Sequence, residues 1–417
     1  MDISIIIPAS HEAENLKVLL PLVTDCADRL GLTKEIIVVD EISGDGTELV
    51  CQQCGARFIA QQSRGFGNAL REGFCCASGD YIMTMDADLS HEPWYIERMW
   101  EKRFDAECII ASRYVTGGSA RMPAYRYVLS KAFNRVLAWL LSFEIKDMSS
   151  NFRMYSRRAL LEIQTSGKKF DVLEEILIKI YCKGWRITEV PFSYCPRYCG
   201  QSHMRVLKLW RDYLETFFQM WRLRNSIACA DYDFRGFYSR IFVQQFWQRQ
   251  RYSKILRFVG DRRRFLDVGC GSSKIIIDRP DAVALDINLG KLRFLRATNR
   301  KLVNADAGRL PFADASFDCV VCSQMIEHST NMAILDELSR VLKKGGILVL
   351  GTPDYDKFSW RLIERLYAFF LSGGYAEEHV MKYSYHSLQG FLKARGLIVV
   401  DHAYICDAEL IIQAQKV

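Results

Sequence analysis

Short apolar runs alternate with amphipathic segments over the first 115 residues of the chain. Four of these runs are apolar almost throughout and predict buried strands: Ile3–Pro8, Glu35–Asp40, Tyr81–Met85 and Cys108–Ala111. The segments between them carry apolar residues at helical spacing and predict helices: Glu14–Arg29, Glu48–Cys54, Gly67–Ala77 and Trp94–Arg103. Strands that alternate with helices predict an α/β fold with a mainly parallel sheet, covered on both faces.

The pattern then predicts a helix within 122–145, a helix at Glu174–Cys182 and a strand at Trp185–Val190. A second alternating series begins at Arg264. Its later strands are predicted at Ala282–Ile287, Leu302–Ala305, Cys319–Ser323 and Ile347–Thr352. A chain of 417 residues is long enough for two cores. We therefore predict two domains, 1–225 and 226–417, the second opening with a helical cap.

Three acidic clusters follow predicted strands of the first domain: Pro8–Asn15, Val38–Thr47 and Met85–His91. Ligands of open α/β sheets bind beyond the carboxyl ends of the strands, so all three clusters can face one crevice. Asp86 and Asp88 have DxD spacing and can hold Mg²⁺ or Mn²⁺ against a diphosphate. Solvated loop carboxylates are the alternative, which three clusters in order disfavour.

Residues 1–205 resemble the inverting family 2 glycosyltransferases of GT-A fold, and among them the dolichol- or polyprenyl-phosphate mannosyl- and glucosyl-transferases. The resemblance is carried by these motifs: Asp40 with Asp45-Gly46-Thr47, Asp86-Ala87-Asp88, Ser112–Gly118, Asp147–Arg153, and Glu189-Val190-Pro191 followed by Arg197, Gly200 and Ser202. Four positions depart from the family pattern: Ser10-His11, Glu41, Asn151 and His203. Asn151 replaces a glycine, and asparagine tolerates left-handed backbone.

The resemblance implies a nucleotide sugar of the GDP-mannose or UDP-glucose type and a polyprenyl or dolichyl phosphate, or a related lipid-linked acceptor. The implied nucleotide-sugar contacts are Pro8, Ala9, Glu12, Asp40, Asp86, Ala87, Asp88 and Ser130. The implied catalytic residues are Asp88, Arg113, Arg126 and Arg197, and Arg126 and Ser130 match residues that meet the acceptor phosphate. A lipid phosphate is already ionised, so the reaction needs cations to bring two anions together, and arginine grips phosphate bidentately.

The second domain opens with Leu266-Asp267-Val268-Gly269-Cys270-Gly271, a strand that runs into a glycine turn. Asp286 ends the next predicted strand, where an acidic residue meets ribose hydroxyls. Later motifs follow in order: Asp306-Ala307 with Leu310-Pro311-Phe312, Phe317-Asp318, Glu327-His328 and Leu342–Gly346. Residues 235–417 thus resemble the class I S-adenosylmethionine-dependent methyltransferases, with a Rossmann-like fold. An NAD oxidoreductase is the alternative, which the Leu310-Pro311-Phe312 segment disfavours.

The second resemblance implies S-adenosylmethionine as cofactor. Asp267, Gly269 and Gly271 would contact its methionine part, Asp286 its ribose, and Asp306 with Ala307 its adenine. His328 and His379 are candidate bases, which the reaction needs only if the acceptor is a hydroxyl. Together the two resemblances predict a bifunctional transferase. The alternative is that one domain is a degenerate module that binds substrate for the other.

The net charge is +7, and residues 197–264 alone hold fifteen Lys/Arg against five Asp/Glu. Within this basic stretch, apolar residues recur at helical spacing: Leu207, Trp210, Leu214, Phe217, Phe218 and Trp221. We predict that this stripe binds anionic lipid headgroups, although it can equally pack against the protein's own core. No zinc knuckle or RNA-binding motif is found, so we expect no nucleic acid partner.

Fourteen cysteines are present, and the first residues carry no basic segment or cleavage site of a signal peptide. We therefore expect free thiols and a cytoplasmic protein. No apolar run approaches the roughly 18 residues that a membrane span requires. The prediction is a peripheral protein on the cytoplasmic face of a membrane.

Overall fold

The structure is a computed structural model that describes residues 1–199, 210–262, 264–370 and 379–417. It separates into two compact units, Met1–Asn225 and Ser226–Val417. Each unit is built on one seven-stranded sheet. The predicted α/β fold is confirmed in both.

The first unit has a mixed sheet in the order β3-β2-β1-β4-β7-β5-β8. Its strands are β1 Ile3–Ala9, β2 Lys34–Asp40, β3 Arg57–Ala60, β4 Tyr81–Thr84, β5 Cys108–Ser112, β7 Arg153–Ser156 and β8 Ile187–Pro191, while β6 Ser119–Ala120 and β9 Ser193–Tyr194 form a separate ribbon. Strand β7 runs antiparallel to β4 and β5, and the other pairs are parallel. Strands β3 and β7 were not predicted, since Arg57–Ala60 is short and Arg153–Ser156 begins with a charge.

Helices cover this sheet on both sides. They are α1 Ala13–Arg29, α2 Thr47–Gln53, α3 Phe66–Cys76, α4 Tyr95–Glu101, α5 Ala124–Leu140, α6 Arg157–Leu161, α7 Val172–Cys182 and α8 Trp210–Arg224. Helix α1 buries Leu16, Leu19, Leu20 and Val23, one turn apart, against the isoleucines of β1. This regular packing fixes the strand ends that carry the acidic clusters.

Helix α5 is attached to the unit differently from α1. Asn134 is its one buried residue among seventeen, and the Asn134 side chain bonds the backbone N–H groups of Met148 and Ser149. Most of its large apolar residues are exposed: Tyr125, Val128, Leu129, Phe133, Val136, Trp139 and Leu140. Within the predicted apolar stripe on α8, Leu214 and Phe218 are exposed, and Phe217 and Trp221 are half-buried. Leu207 lies outside the described residues.

The second unit has the sheet order β12-β11-β10-β13-β14-β16-β15. Its strands are β10 Leu266–Val268, β11 Val283–Asp286, β12 Leu302–Asn304, β13 Phe317–Ser323, β14 Leu342–Pro353, β15 Leu397–Ile405 and β16 Glu409–Lys416. Its helices are α9 Tyr232–Phe237, α10 Phe242–Val259, α11 Lys274–Asp278, α12 Leu289–Leu295, α13 Ala333–Val341, α14 Phe358–Phe370 and α15 Tyr385–Lys393. The first five strands are parallel, whereas β16 pairs antiparallel with β14 and β15, a hairpin that was not predicted.

All fourteen cysteines are free thiols, as expected. Among the described residues, no helix has the length and apolar character that crossing a membrane requires.

Candidate active sites

The three acidic clusters of the first unit follow β1, β2 and β4, which lie side by side and parallel. Their carboxyl ends therefore open at one edge of the sheet. Each cluster contains one non-glycine residue with positive φ: His11 at 58°, Ile42 at 63° and Leu89 at 61°. Such backbone is uncommon for side-chain-bearing residues, above all for a β-branched one, and it concentrates at binding and catalytic sites.

Asp40 and Asp45 organise the second cluster into a preformed turn. The buried Asp40 carboxylate accepts hydrogen bonds from the backbone N–H and the hydroxyl of Ser43, at 2.8 and 2.9 Å. Asp45 accepts from the Ala13 backbone and from Thr47. Burial opposes the ionised form, but these donors outweigh it and lower the pKa of Asp45 to about 2. Asp45 thereby ties the second cluster to the start of α1.

Asp86 has a fixed orientation. The Asn151 side-chain amide donates to Asp86 Oδ1 at 2.9 Å. His91 accepts the Asp86 backbone N–H through Nδ1 at 2.9 Å, and its Nε2 lies 3.5 Å from Asp86 Oδ2. Asn151 does not take the left-handed backbone that the replaced glycine suggested, and it acts instead through its side chain. The roles of His91 and Asn151 were not predicted.

Asp88 is engaged by Arg197. Both Nε and a terminal nitrogen of Arg197 lie 3.2 Å from Asp88 Oδ2, and the same guanidinium is 3.2 Å from Glu12 Oε1. Ser90 donates its backbone N–H to Asp88 Oδ1. Burial raises the pKa of Glu12, although Asn15 and Arg197 oppose this. The structure thus brings the carboxylates of Glu12 and Asp88 together around the positively charged guanidinium of Arg197.

Arg113 is committed to a buried carboxylate. Its Nε and a terminal nitrogen bond the two oxygens of Asp147 at 2.8 and 2.7 Å, and the terminal nitrogen also donates to Ser149. Arg113 was predicted to bind phosphate, and the structure gives it this bidentate partner. Arg126 is exposed near the start of α5, and the Ser130 hydroxyl one turn later accepts from Tyr114 at 2.7 Å.

The remaining predicted residues of this site lie at strand ends. Pro8 and Ala9 end β1, and Ala87 is buried between the two aspartates of the DxD motif. Gly200, Ser202 and His203 lie outside the described residues.

The glycine turn after β10 shapes the candidate cofactor site of the second unit. Gly271 has φ +57°, and a Cβ there would lie 2.3 Å from an oxygen of Asp233. Asp233 accepts from the Ser272 backbone at 3.0 Å and pairs with Lys291 at 3.2 Å. Asp233 lies on α9, 39 residues before Ser272, and no motif marked it. A residue of the predicted helical cap, Asp233, therefore bonds the turn.

Asp286 ends β11 and reaches back to the same turn. Its carboxylate accepts the backbone N–H groups of Gly271 at 2.8 Å and Asn288 at 2.7 Å. Asp306 is exposed after β12, where it bonds the Gly308 backbone at 2.8 Å, and Ala307 is half-buried beside it. The four predicted positions Gly271, Asp286, Asp306 and Ala307 thus lie at the carboxyl ends of neighbouring strands.

A cavity of about 100 Å³ opens beside this turn. Asp267 and Gly269 line it together with Asp233, Arg251 and Lys291. Burial, and then the charges of Asp286 and Asp233, raise the pKa of Asp267 to about 8. This environment therefore favours the neutral acid form of Asp267.

A second cavity, of about 160 Å³, shares Gln248, Arg251 and Gln324 with the first. Apolar side chains dominate its lining: Tyr232, Val243, Trp247, Trp360 and Ile363. His379 also lines it, and burial followed by the proximity of His328 lowers the pKa of His379 to about 4. The two candidate bases thus lie together, their ring centroids 5.0 Å apart.

Comparison with known proteins finds a family match in each unit. The model of the glycosyl transferase family 2 matches residues 4–164, and a methyltransferase domain model matches residues 266–350. A dolichol-phosphate mannosyltransferase of Pyrococcus furiosus is 32% identical over 236 residues, 54% of this chain and 66% of that protein. One of Saccharomyces cerevisiae is 31% identical over 222 residues, 49% of this chain and 81% of that protein.

Among solved structures, glucosyl-3-phosphoglycerate synthase of Mycobacterium tuberculosis, in complex with Mn²⁺, uridine diphosphate and glucosyl-3-phosphoglycerate, is 20% identical with a TM-score of 0.43. The match covers 52% of this chain and 79% of that one.

Proposed function

We propose that this chain is a bifunctional transferase, since it belongs to the family 2 glycosyltransferases and carries a methyltransferase domain C-terminal to the glycosyltransferase part. Its first unit would move a sugar from a nucleotide sugar to a lipid-linked phosphate, in the presence of Mg²⁺ or Mn²⁺. Its second unit would move a methyl group from S-adenosylmethionine.

The observation that carries the first activity is the edge formed by the ends of β1, β2 and β4. Asp40 and Asp45 belong to the cluster after β2 and the DxD pair to the cluster after β4, and each cluster holds one non-glycine residue at uncommon positive φ. Asp86 and Asp88 offer the hard oxygens that Mg²⁺ and Mn²⁺ prefer, and Asn151 and Ser90 orient them. The cation would offset the charge that develops on the departing nucleoside diphosphate.

The arginines of this site fit two anionic substrates. Arg197 lies against Asp88, so a diphosphate held by the cation would meet its guanidinium. Arg113 would act as a positioning residue, since Asp147 occupies two of its nitrogens. Arg126 is exposed and available to an acceptor phosphate. No general base is required, because a phosphate oxygen is already ionised.

Helix α5 supports a lipid-linked acceptor. It exposes seven large apolar residues together with Arg126, Lys131 and Arg135, and its sequence contains no Asp or Glu. An apolar face flanked by cations is typical of helices that lie in the headgroup region of anionic membranes. We therefore propose α5, together with the exposed Leu214 and Phe218 of α8, as the membrane-binding surface.

The second activity is supported by the turn after β10. Gly269 and Gly271 form this turn at positive φ, Asp286 would bind the ribose hydroxyls, and the cavity beside Asp267 is large enough for part of a cofactor. Methyl transfer from a sulfonium is an in-line displacement, so positioning is the main task of this unit.

The proposal is tested by mass spectrometry of products made by the purified chain. The chain receives GDP-mannose or UDP-glucose, polyprenyl phosphate in liposomes, and S-adenosylmethionine. We expect one added hexose and one added methyl group. Asp88→Asn serves as the control that removes the hexose and keeps S-adenosylmethionine binding, and Asp286→Ala as the control that reduces methylation and keeps hexose transfer.

Failure to transfer hexose from any nucleotide sugar would contradict the first activity. A hexosylated product with no methyl transfer to any acceptor would assign the second unit to the alternative role of a binding module.

A further inference from the structure

Three side chains with metal-binding atoms meet beside the second cavity of the methyltransferase unit. Glu327 and His328 lie in the short 3-10 helix Ile326–His328 that follows β13. The Glu327 carbonyl accepts the backbone N–H groups of Val380 and Met381, both at 3.0 Å, which brings His379 alongside. One ligand atom from each of Glu327, His328 and His379 lies within 4.8 Å of the others.

Glu327 is the side chain that most needs explanation. It is 0% exposed, and neither carboxylate oxygen accepts a hydrogen bond of normal geometry from the described residues. A buried polar group without a partner costs about 1–3 kcal/mol, and more when it is charged. Native proteins leave few such groups, and a bound ion is one recognised reason for them.

His379 is held as metal-binding histidines are. The Tyr355 hydroxyl lies 2.8 Å from Glu364 Oε1 and 2.8 Å from His379 Nδ1. A carboxylate only accepts, so Tyr355 donates to Glu364 and accepts from Nδ1–H. This tautomer makes Nε2 of His379 the electron-pair donor. Metal-binding histidines commonly donate their other N–H to such an outer partner.

We propose that Glu327, His328 and His379 form a site for one divalent transition-metal ion, of the kind that zinc or cobalt occupies. Two imidazoles and one carboxylate suit these ions rather than Mg²⁺ or Ca²⁺, which prefer oxygen. Three protein ligands leave a fourth position open, which is typical of catalytic rather than structural sites. One of the three ligands, His379, also lines the apolar cavity beside Trp247 and Trp360.

The site also indicates the class of methyl acceptor. The cation would bind an acceptor hydroxyl oxygen at its open position and lower the pKa of that hydroxyl, whose proton would pass to water. The oxygen would then bond the methyl carbon as the carbon–sulfur bond of S-adenosylmethionine breaks, with S-adenosylhomocysteine as the leaving group. The acceptor would therefore be an alcohol or phenol with an apolar body that fits beside Trp247 and Trp360. This use of the ion rests on the proposed methyl transfer, whereas binding of the ion does not.

The test uses the full chain, stripped with a chelator and then titrated with Co²⁺ while visible absorption is recorded. We expect d–d bands of Co²⁺ whose intensity saturates near one equivalent of added Co²⁺ in the unchanged chain. The same result is expected for the Asp88→Asn control, since this substitution removes a ligand of the other proposed metal site. Glu327→Gln and His379→Gln should each weaken Co²⁺ binding at least tenfold. His402→Gln removes an exposed histidine of the same unit and should leave the bands unchanged.

Folding of each variant is checked by S-adenosylmethionine binding, and His328→Gln replaces any variant that fails this check. Bands of equal intensity and affinity in the folded Glu327, His328 and His379 variants would overturn the proposed site. So would the absence of bands in the unchanged chain. Because the readout is absorption, either result leaves the proposed sugar and methyl transfer open to their own test.

Discussion

Asp147→Asn tests the pairing that holds Arg113 in the glycosyltransferase unit. The substitution keeps the shape of the side chain and removes its charge. The Asp147 side chain is fully buried and Arg113 is 12% exposed, and two short bonds join them. Breaking a buried ion pair from one side costs about 3–5 kcal/mol, because it leaves an uncompensated charge. Since Arg113 retains slight exposure, we expect the lower end, about 3 kcal/mol.

For a unit of this size, about 3 kcal/mol corresponds to a fall in Tm of roughly 6–12 °C. Calorimetry can follow it, because S-adenosylmethionine should raise only the transition of the other unit. Asp105→Asn is the matched control, because Asp105 pairs with Lys102 at 2.9 Å on the surface, where a pair contributes about 1 kcal/mol or less. Equal Tm values for the two variants would refute the reasoning.

Four further predictions address function. Asp88→Asn should reduce hexose transfer at least a hundredfold while leaving S-adenosylmethionine binding intact, and full transfer in EDTA would contradict a metal role. Asp286→Ala should weaken S-adenosylmethionine binding by about 1–3 kcal/mol in calorimetry, because it orphans buried partners. The affinity for S-adenosylmethionine, which carries a positive sulfonium, should rise from about pH 6 to pH 8, because Asp267, with a pKa of about 8, must lose its proton. Asp267→Asn should abolish this dependence on pH. Trp139→Ala should reduce flotation with anionic liposomes, whereas Leu161→Ala, an exposed control outside α5, should not.

Many of the regular strands and helices of both folds can be predicted from the sequence. Ile3–Pro8 and Glu35–Asp40 were predicted within one residue of β1 and β2, because a buried parallel strand is apolar on both faces. The hairpin of β15 and β16 was missed because β15 is an edge strand with many exposed positions. Strand β7 was missed because its first residue, Arg153, is charged yet completely buried.

The sites were predictable where a motif places residues on one strand end, and not where folding joins distant segments. Asp86 and Asp88 are separated by one residue, so their spacing indicates their chemistry. Asn151 reaches Asp86 only because β7 lies beside β4, a pairing that local periodicity does not specify. His379 meets Glu327 through backbone bonds between segments about 50 residues apart.

Arg197 has a consequence for the order in which ligands bind. Its guanidinium neutralises both Glu12 and Asp88, and Asp88 is the one that the proposed cation needs. A cation alone must displace this guanidinium from Asp88 and leave it Glu12 as a counter-charge, whereas a nucleoside diphosphate offers it another. Cation and nucleotide should therefore bind with positive coupling, each raising the affinity of the other by the same factor. Arg197 would then disfavour binding of the cation until the nucleotide sugar is also bound, which imposes an order on the two ligands.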